Sequence, residues 1–110
     1  MRLLIASFFV AHGLAHMVGF VAPSYDSSLL TDRLGASAAA VRTMGILWFV
    51  TAMSFVVSAV ALATYTPWWP AVTAATALFS LGLSVLEWPR AHMGVYINLA
   101  ILVGLALAAL

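Results

Sequence analysis

The chain has 110 residues, of which 65% are hydrophobic and only 6% are charged. In a soluble domain roughly a quarter of all residues are charged, so this composition predicts that lipid covers most of the protein surface. The formal net charge is +1 and the sequence has no run of Lys or Arg, which excludes a nucleic-acid partner. The absence of cysteine excludes disulfide bonds, thiolate metal ligands and thiol catalysis.

Four apolar segments approach the roughly 20 residues that a helix needs to cross the hydrocarbon core of a bilayer. None of them shows the alternating pattern of a lipid-facing barrel strand. The predicted helices span about residues 3–23, 43–64, 69–86 and 93–110, and a polar connection covers residues 24–42. We therefore predict an all-α fold, in which residues 1–110 form one integral membrane domain built as a four-helix up-down bundle.

The first segment contains two histidines four residues apart, in the stretch FFVAHGLAHMVGF (8–20). Arg2 followed by an apolar run opens like a secretory signal, but His12 and His16 interrupt the run, and we expect a retained helix. At i and i+4 the two imidazoles share one helix face, about 6 Å apart. Ionisable residues in a membrane span commonly mark a functional site, whereas a neutral imidazole can also hold neighbouring helices together. Both interpretations stay open at this point.

Depth along an up-down bundle can be counted at about 1.5 Å per residue. Measured from the face that carries the 87–94 connection, His16 lies about 10 Å deep and His12 about 16 Å deep. Trp48 and Asn98 lie about 6–8 Å below the same face. The polar side chains that this counting places in one half of the bundle are His12, His16, Trp48, Asn98, Ser80 and Ser84, with Glu87 and His92 at the rim. The sequence therefore predicts a polar cup in that half.

The cup predicts a small integral membrane protein that binds a small ligand or a proton, alone or as an accessory or transport subunit. The predicted ligand-binding residues are His12 and His16 at the centre, Trp48 and Asn98 in the wall, and Glu87 and His92 at the mouth. No G-x-S-x-G, H-E-x-x-H or phosphate-loop motif is present, which favours a protein that is not an enzyme.

Two alternatives belong to other functional classes. One is a metal- or haem-dependent membrane redox enzyme that uses the histidine pair. His92 lies about 10 Å above His16, so a third ligand is missing and we expect no metal and no cofactor. The other alternative is a structural subunit of a larger membrane complex.

Three patches carry a resemblance: HGLAHMVGF (12–20), GILWFV (45–50) and HMGVYINLAIL (92–102). They resemble a group of small uncharacterised bacterial membrane proteins with four helices, which share H-G-x-x-H-x-x-G-F, G-I-L-W and G-x-x-x-N-x-x-I-L. The resemblance implies a location in the bacterial cytoplasmic membrane and no particular activity. The expected partners are the lipid bilayer and either further copies of the chain or a larger membrane complex.

Overall fold

The computed structural model describes residues 1–21, 35, 37–88 and 90–110, and over these residues it contains four α-helices and no strand. The helices are α1 (Arg2–Val21), α2 (Ala38–Ala63), α3 (Trp69–Leu86) and α4 (His92–Ala108). The predicted all-helical class with four helices is therefore confirmed. Residues 22–34 and 36 lie outside the described residues, and with them lie the end of the first predicted helix and most of the predicted polar connection.

The sequence predicts a second helix from about residue 43 to 64 that GASAAAVR (35–42) extends on its N-terminal side, and helix α2 begins within that stretch, at Ala38, because Ser37 provides an N-cap. Ser37 has an extended backbone, and its side chain accepts a hydrogen bond from the Ala40 N–H at 3.2 Å. A serine in this position satisfies one of the backbone N–H groups that a helix start leaves unpaired. The alanines that follow have the highest helix propensity, so the helix extends over 26 residues.

Helices that follow one another in sequence are neighbours in space: α1 packs on α2, α2 on α3, and α3 on α4. Gly13 permits the close approach of α1 to α2, since a Cβ on residue 13 would stand 2.9 Å from the Ala52 carbonyl oxygen. Within the described residues, no Cα of α1 lies within 8 Å of a Cα of α3 or α4. Helix α1 therefore reaches α3 and α4 through side chains alone.

An apolar cluster fills the half of the bundle where α1 begins and α2 ends. Phe9 and Phe55 form its centre, with ring centroids 6.3 Å apart. The buried members of the cluster are Ala6, Phe9, Phe55, Ala59, Leu62, Ala77 and Ile101. His12 follows Phe9 by one helical turn, so the polar side chains of α1 come directly after this cluster and occupy the other half.

Two helices, α2 and α3, are long and apolar enough to cross a membrane on length and composition alone. Helix α1 over Arg2–Val18 and helix α4 are apolar but shorter. Core helices of soluble proteins can have the same length and composition. The case for a membrane location therefore depends on which faces of the helices are buried, which is considered below.

Candidate functional site

Asn98 of α4 is completely buried and stands at the centre of a hydrogen-bonded network that joins three helices. Its amide nitrogen donates to the Gly94 carbonyl oxygen at 2.8 Å and to Ser80 Oγ at 2.7 Å. Its amide oxygen lies 3.3 Å from His12 Nε2. A carbonyl oxygen can only accept, so Gly94 fixes which end of the Asn98 amide faces His12. That end is the oxygen, and His12 Nε2 must donate to it.

The same reasoning places the proton in the bond between Ser80 and His16, whose Oγ and Nε2 atoms are 2.9 Å apart. Ser80 Oγ already accepts from Asn98. Other hydroxyls of the bundle donate to a backbone carbonyl one turn earlier, as Thr51 and Thr73 do at 2.7 Å, but Ser80 makes no such bond within the described structure. Its hydroxyl proton is therefore available to His16 Nε2, which accepts it.

We call His12, Asn98, Ser80 and His16 the polar network. Its bonds all donate in one direction, from His12 to Asn98, from Asn98 to Ser80, and from Ser80 to His16. In the neutral state His12 therefore carries its proton on Nε2, while His16 carries its proton on Nδ1. The two imidazoles stand at opposite ends of the network as different tautomers.

Aromatic rings surround the two imidazoles. The His12 and His16 rings meet edge to face with centroids 4.6 Å apart. Phe55 of α2 contacts both, at 4.8 Å from His12 and 5.6 Å from His16. Trp48 lies 4.9 Å from His16, and Phe8 stacks parallel to His12 at 6.0 Å. In such apolar surroundings a hydrogen bond is strong when it is made and costly when one partner is lost.

Trp48 connects the polar network to a carboxylate at the end of α3. Its indole N–H donates to Glu87 Oε1 at 3.0 Å, while the indole ring packs against His16. Trp48 is buried and Glu87, the C-cap residue of α3, is partly buried. The predicted wall residue Trp48 and the predicted mouth residue Glu87 are thus in direct contact, and Trp48 lies between Glu87 and His16.

His92 is the first residue of α4 and is exposed. Its ring meets Trp88 and Tyr96 edge to face, with centroids 6.1 Å and 6.3 Å away. The structure therefore places His92 among aromatic residues at the beginning of α4, more than one helical turn before Asn98.

Two side chains outside the predicted ligand-binding set belong to the site. Ser80 is completely buried and bridges His16 and Asn98. Phe55 is also completely buried and packs against both imidazoles. For Phe55 a signal is present in the sequence, because it follows Trp48 by seven residues and so lies two turns further along the same helix face.

The arrangement lacks the ligands that a metal ion needs. Among the residues that the structure describes, no three His, Asp or Glu side chains come together as a ligand set. The Nε2 atoms of both imidazoles are also hydrogen bonded to Asn98 and Ser80.

Comparison with known proteins finds no matching family model, no matching curated protein and no matching solved structure. The resemblance to small bacterial membrane proteins therefore stays a prediction.

Proposed function

We propose that the protein is an integral membrane four-helix bundle that binds a proton at the buried pair of His12 and His16. The distribution of polar and apolar side chains supports the membrane location. The largest completely buried side chains are Phe55, Asn98, Thr51, Thr73, Ser58, Ser80 and Ser84, nearly all polar. The exposed large apolar side chains include Leu3, Leu4, Leu14, Val50, Val57, Val60, Leu78, Phe79 and Val103. Soluble proteins bury such residues, whereas a bundle in lipid keeps its polar groups inside.

The other two helices, α1 with 20 residues and α4 with 17 residues, fit the same proposal. Helices α1 and α4 expose apolar side chains along their length, among them Leu4 and Val18 on α1 and Leu99 and Leu107 on α4. A span that is shorter than the hydrocarbon core can be accommodated by local thinning of the bilayer. The bacterial cytoplasmic membrane is proposed on the resemblance of the three sequence patches.

Proton binding is supported by one observation: the two imidazoles stand at the ends of a buried hydrogen-bonded network, in which the donation from Asn98 to Ser80 favours His16 Nε2 as an acceptor. A proton added to His16 Nε2 removes the lone pair that accepts from Ser80. The Ser80 hydroxyl proton must then turn away from His16, while Ser80 Oγ, which has two lone pairs, can accept from His16 Nε2 as well as from Asn98. Proton uptake at His16 therefore reverses the donor in the bond between α1 and α3 and leaves the Ser80 hydroxyl proton without an acceptor among the described residues, which couples protonation to the hydrogen bonding of the network.

Within the described part of the chain, few charged or titratable groups lie near the histidine pair. The two imidazoles face each other on α1, and Glu87 of α3 approaches His16 through Trp48 of α2. Helix α4 contributes the neutral amide of Asn98. The carboxylate that the described residues bring toward the pair, Glu87, therefore reaches it only through the Trp48 side chain.

A structural role, as a subunit that only holds helices together, is the second candidate. It is favoured by the burial of every member of the polar network and by the bond that each member makes to another. The two candidates differ in whether an imidazole changes its charge while the fold is intact. A proton site titrates in the folded protein, whereas purely structural histidines stay neutral until the bundle unfolds.

The membrane location is tested by alkaline carbonate extraction of cells that express the full chain. We expect the protein to stay with the lipid pellet. Recovery of the protein in the aqueous supernatant would contradict the membrane location, regardless of whether the histidines bind a proton.

Proton binding is tested by nitrogen NMR of 15N-histidine-labelled protein in lipid nanodiscs, from about pH 8, above the ordinary titration range of histidine, down to the lowest pH at which the bundle stays folded. We expect opposite tautomers for His12 and His16 at high pH and protonation of one of them as the pH falls. His12→Gln and His16→Gln assign the signals, and His92→Gln removes the exposed reference signal. If the rings of both His12 and His16 stay neutral over this range in the folded protein, proton binding is contradicted and the structural role remains.

A further inference from the structure

Arg2 presents cationic donors that have no acceptor in the described structure. Its guanidinium carbon lies 3.1 Å from the centroid of the Tyr65 ring. Its Nε and Nη1 atoms are buried and make no hydrogen bond. A buried donor without a partner costs free energy, and more so when the group is charged. The unpaired nitrogens therefore indicate that an acceptor from outside the described residues completes this site.

Tyr65 reaches its position under Arg2 through an unfavourable backbone conformation. Its φ of 58° lies in the left-handed region, and among the described residues no other non-glycine residue has a positive φ. Helix α2 ends with Thr66 N–H bonded to the Ala61 carbonyl at 2.9 Å and Tyr65 N–H bonded to the Leu62 carbonyl at 3.3 Å. Glycine is the usual residue at the left-handed position of this turn. Strained residues of this kind cluster at binding sites, which fits a ring that must support Arg2.

The turn after α2 has the features of a membrane interface. Thr66 also accepts from the Trp69 N–H at 3.1 Å and bonds the Thr64 hydroxyl at 2.9 Å, so the turn is held by its own hydrogen bonds. Trp68 in the same turn is 48% exposed. Exposed tryptophan and tyrosine are typical of the headgroup level of a bilayer. The acidic side chain that the structure describes, Glu87, is bonded to Trp48 and does not contact Arg2.

We propose that Arg2, supported by Tyr65, binds the phosphodiester group of an anionic phospholipid. Arginine matches phosphate oxygens with its planar set of donors, and it stacks on aromatic rings while doing so. A lipid headgroup is the phosphate source that reaches a site at the end of a helix bundle beside an exposed tryptophan. This inference rests on the proposed membrane location and is independent of the histidine pair.

The test uses the full chain purified in a neutral detergent. Its thermal unfolding is followed after addition of phosphatidylglycerol or of phosphatidylcholine with the same acyl chains. We expect phosphatidylglycerol to raise the unfolding temperature more, and Arg2→Gln to abolish the difference. Arg42→Gln is the matched control, because Arg42 is an exposed arginine on α2, and it keeps the difference. Tyr65→Phe keeps the ring and the lipid preference, whereas Tyr65→Ala weakens the preference.

Native mass spectrometry of the same proteins provides a second readout, should Arg2→Gln unfold too easily. Arg2→Lys keeps the charge but loses the planar donors, and we expect it to retain less phosphatidylglycerol than the wild type. Equal lipid preference in Arg2→Gln and wild type would overturn the proposal. Equal stabilisation of the wild type by inorganic phosphate alone would overturn its assignment to a lipid. A failed carbonate extraction, by contrast, would contradict the membrane location itself.

Discussion

Gly94 of α4 lies directly against Ser84 of α3, so closely that a Cβ on residue 94 would stand 2.5 Å from Ser84 Oγ and 3.3 Å from Ser84 Cβ. Ser84 is completely buried, and its hydroxyl makes no hydrogen bond to any described residue. We expect Gly94→Ala to push α3 and α4 apart and to lower the free energy of unfolding by about 1–3 kcal/mol, the usual cost of overpacking. Titration of the detergent-solubilised protein with a denaturing detergent measures this change.

The control for this prediction is Gly82→Ala or Gly104→Ala, since a Cβ at either position meets nothing within 4 Å. These variants should be neutral or stabilising by up to about 1 kcal/mol, because alanine is the better helix former. The added Cβ at residue 94 would clash with the side chain of Ser84. We therefore expect Ser84→Ala, combined with Gly94→Ala, to recover part of the lost free energy of unfolding. Equal stability of Gly94→Ala and Gly104→Ala would contradict the close contact.

Gly13→Ala should be more damaging than Gly94→Ala and should resist such rescue. The added Cβ would stand 2.9 Å from the Ala52 carbonyl oxygen and 3.0 Å from Phe55 Cβ. The first of these atoms is backbone, so no side-chain truncation on α2 removes it, and α1 has to move as a whole. We expect Gly13→Ala to disturb the NMR signals of both His12 and His16, whose rings pack on Phe55. Unchanged histidine signals would contradict this geometry.

The fold class and much of the environment of the histidines follow from residue spacing. His12 and His16 share a face because they are four residues apart, and depth counting puts Asn98 and Trp48 at similar levels. Counting depth does not specify how a helix is rotated about its own axis. Depth alone therefore could not show that Ser80, rather than another serine of α3, bridges His16 and Asn98. The orientation of the Asn98 amide could not be predicted either, because it depends on the Gly94 carbonyl of its own helix.

Asn98→Leu removes both bonds that α4 makes to the polar network: His12 Nε2 loses its acceptor, and Ser80 keeps only its bond to His16. Hydrogen bonds between helices in membranes average about 0.6 kcal/mol each, so we expect a loss of roughly 1–2 kcal/mol in unfolding free energy.

Asn98→Asp is the sharper probe, because a carboxylate accepts from His12 but cannot donate to Ser80 or Gly94. It should therefore reverse the Ser80 hydroxyl and change the tautomer of His16. The nitrogen NMR signals of His16 report this change, and an unchanged tautomer would contradict the direction of donation. Leu99→Ala, at the exposed neighbouring position, is the control.

Trp48 and Glu87 should show a coupling energy that depends on their hydrogen bond alone. Trp48→Phe keeps an aromatic ring against His16 but removes the indole N–H that donates to Glu87 at 3.0 Å. Glu87→Gln keeps an oxygen acceptor and should cost less than Glu87→Ala. Because the acceptor is a partly buried carboxylate, a double-mutant cycle of Trp48→Phe with Glu87→Ala should give a coupling of about 1 kcal/mol. Trp88, which is exposed and lies next to Glu87 in the chain, provides the control as Trp88→Phe. If the coupling energy of Glu87 to Trp88 equals that to Trp48, the carboxylate acts on the turn as a whole. That result would contradict a specific connection from Glu87 through Trp48 to His16.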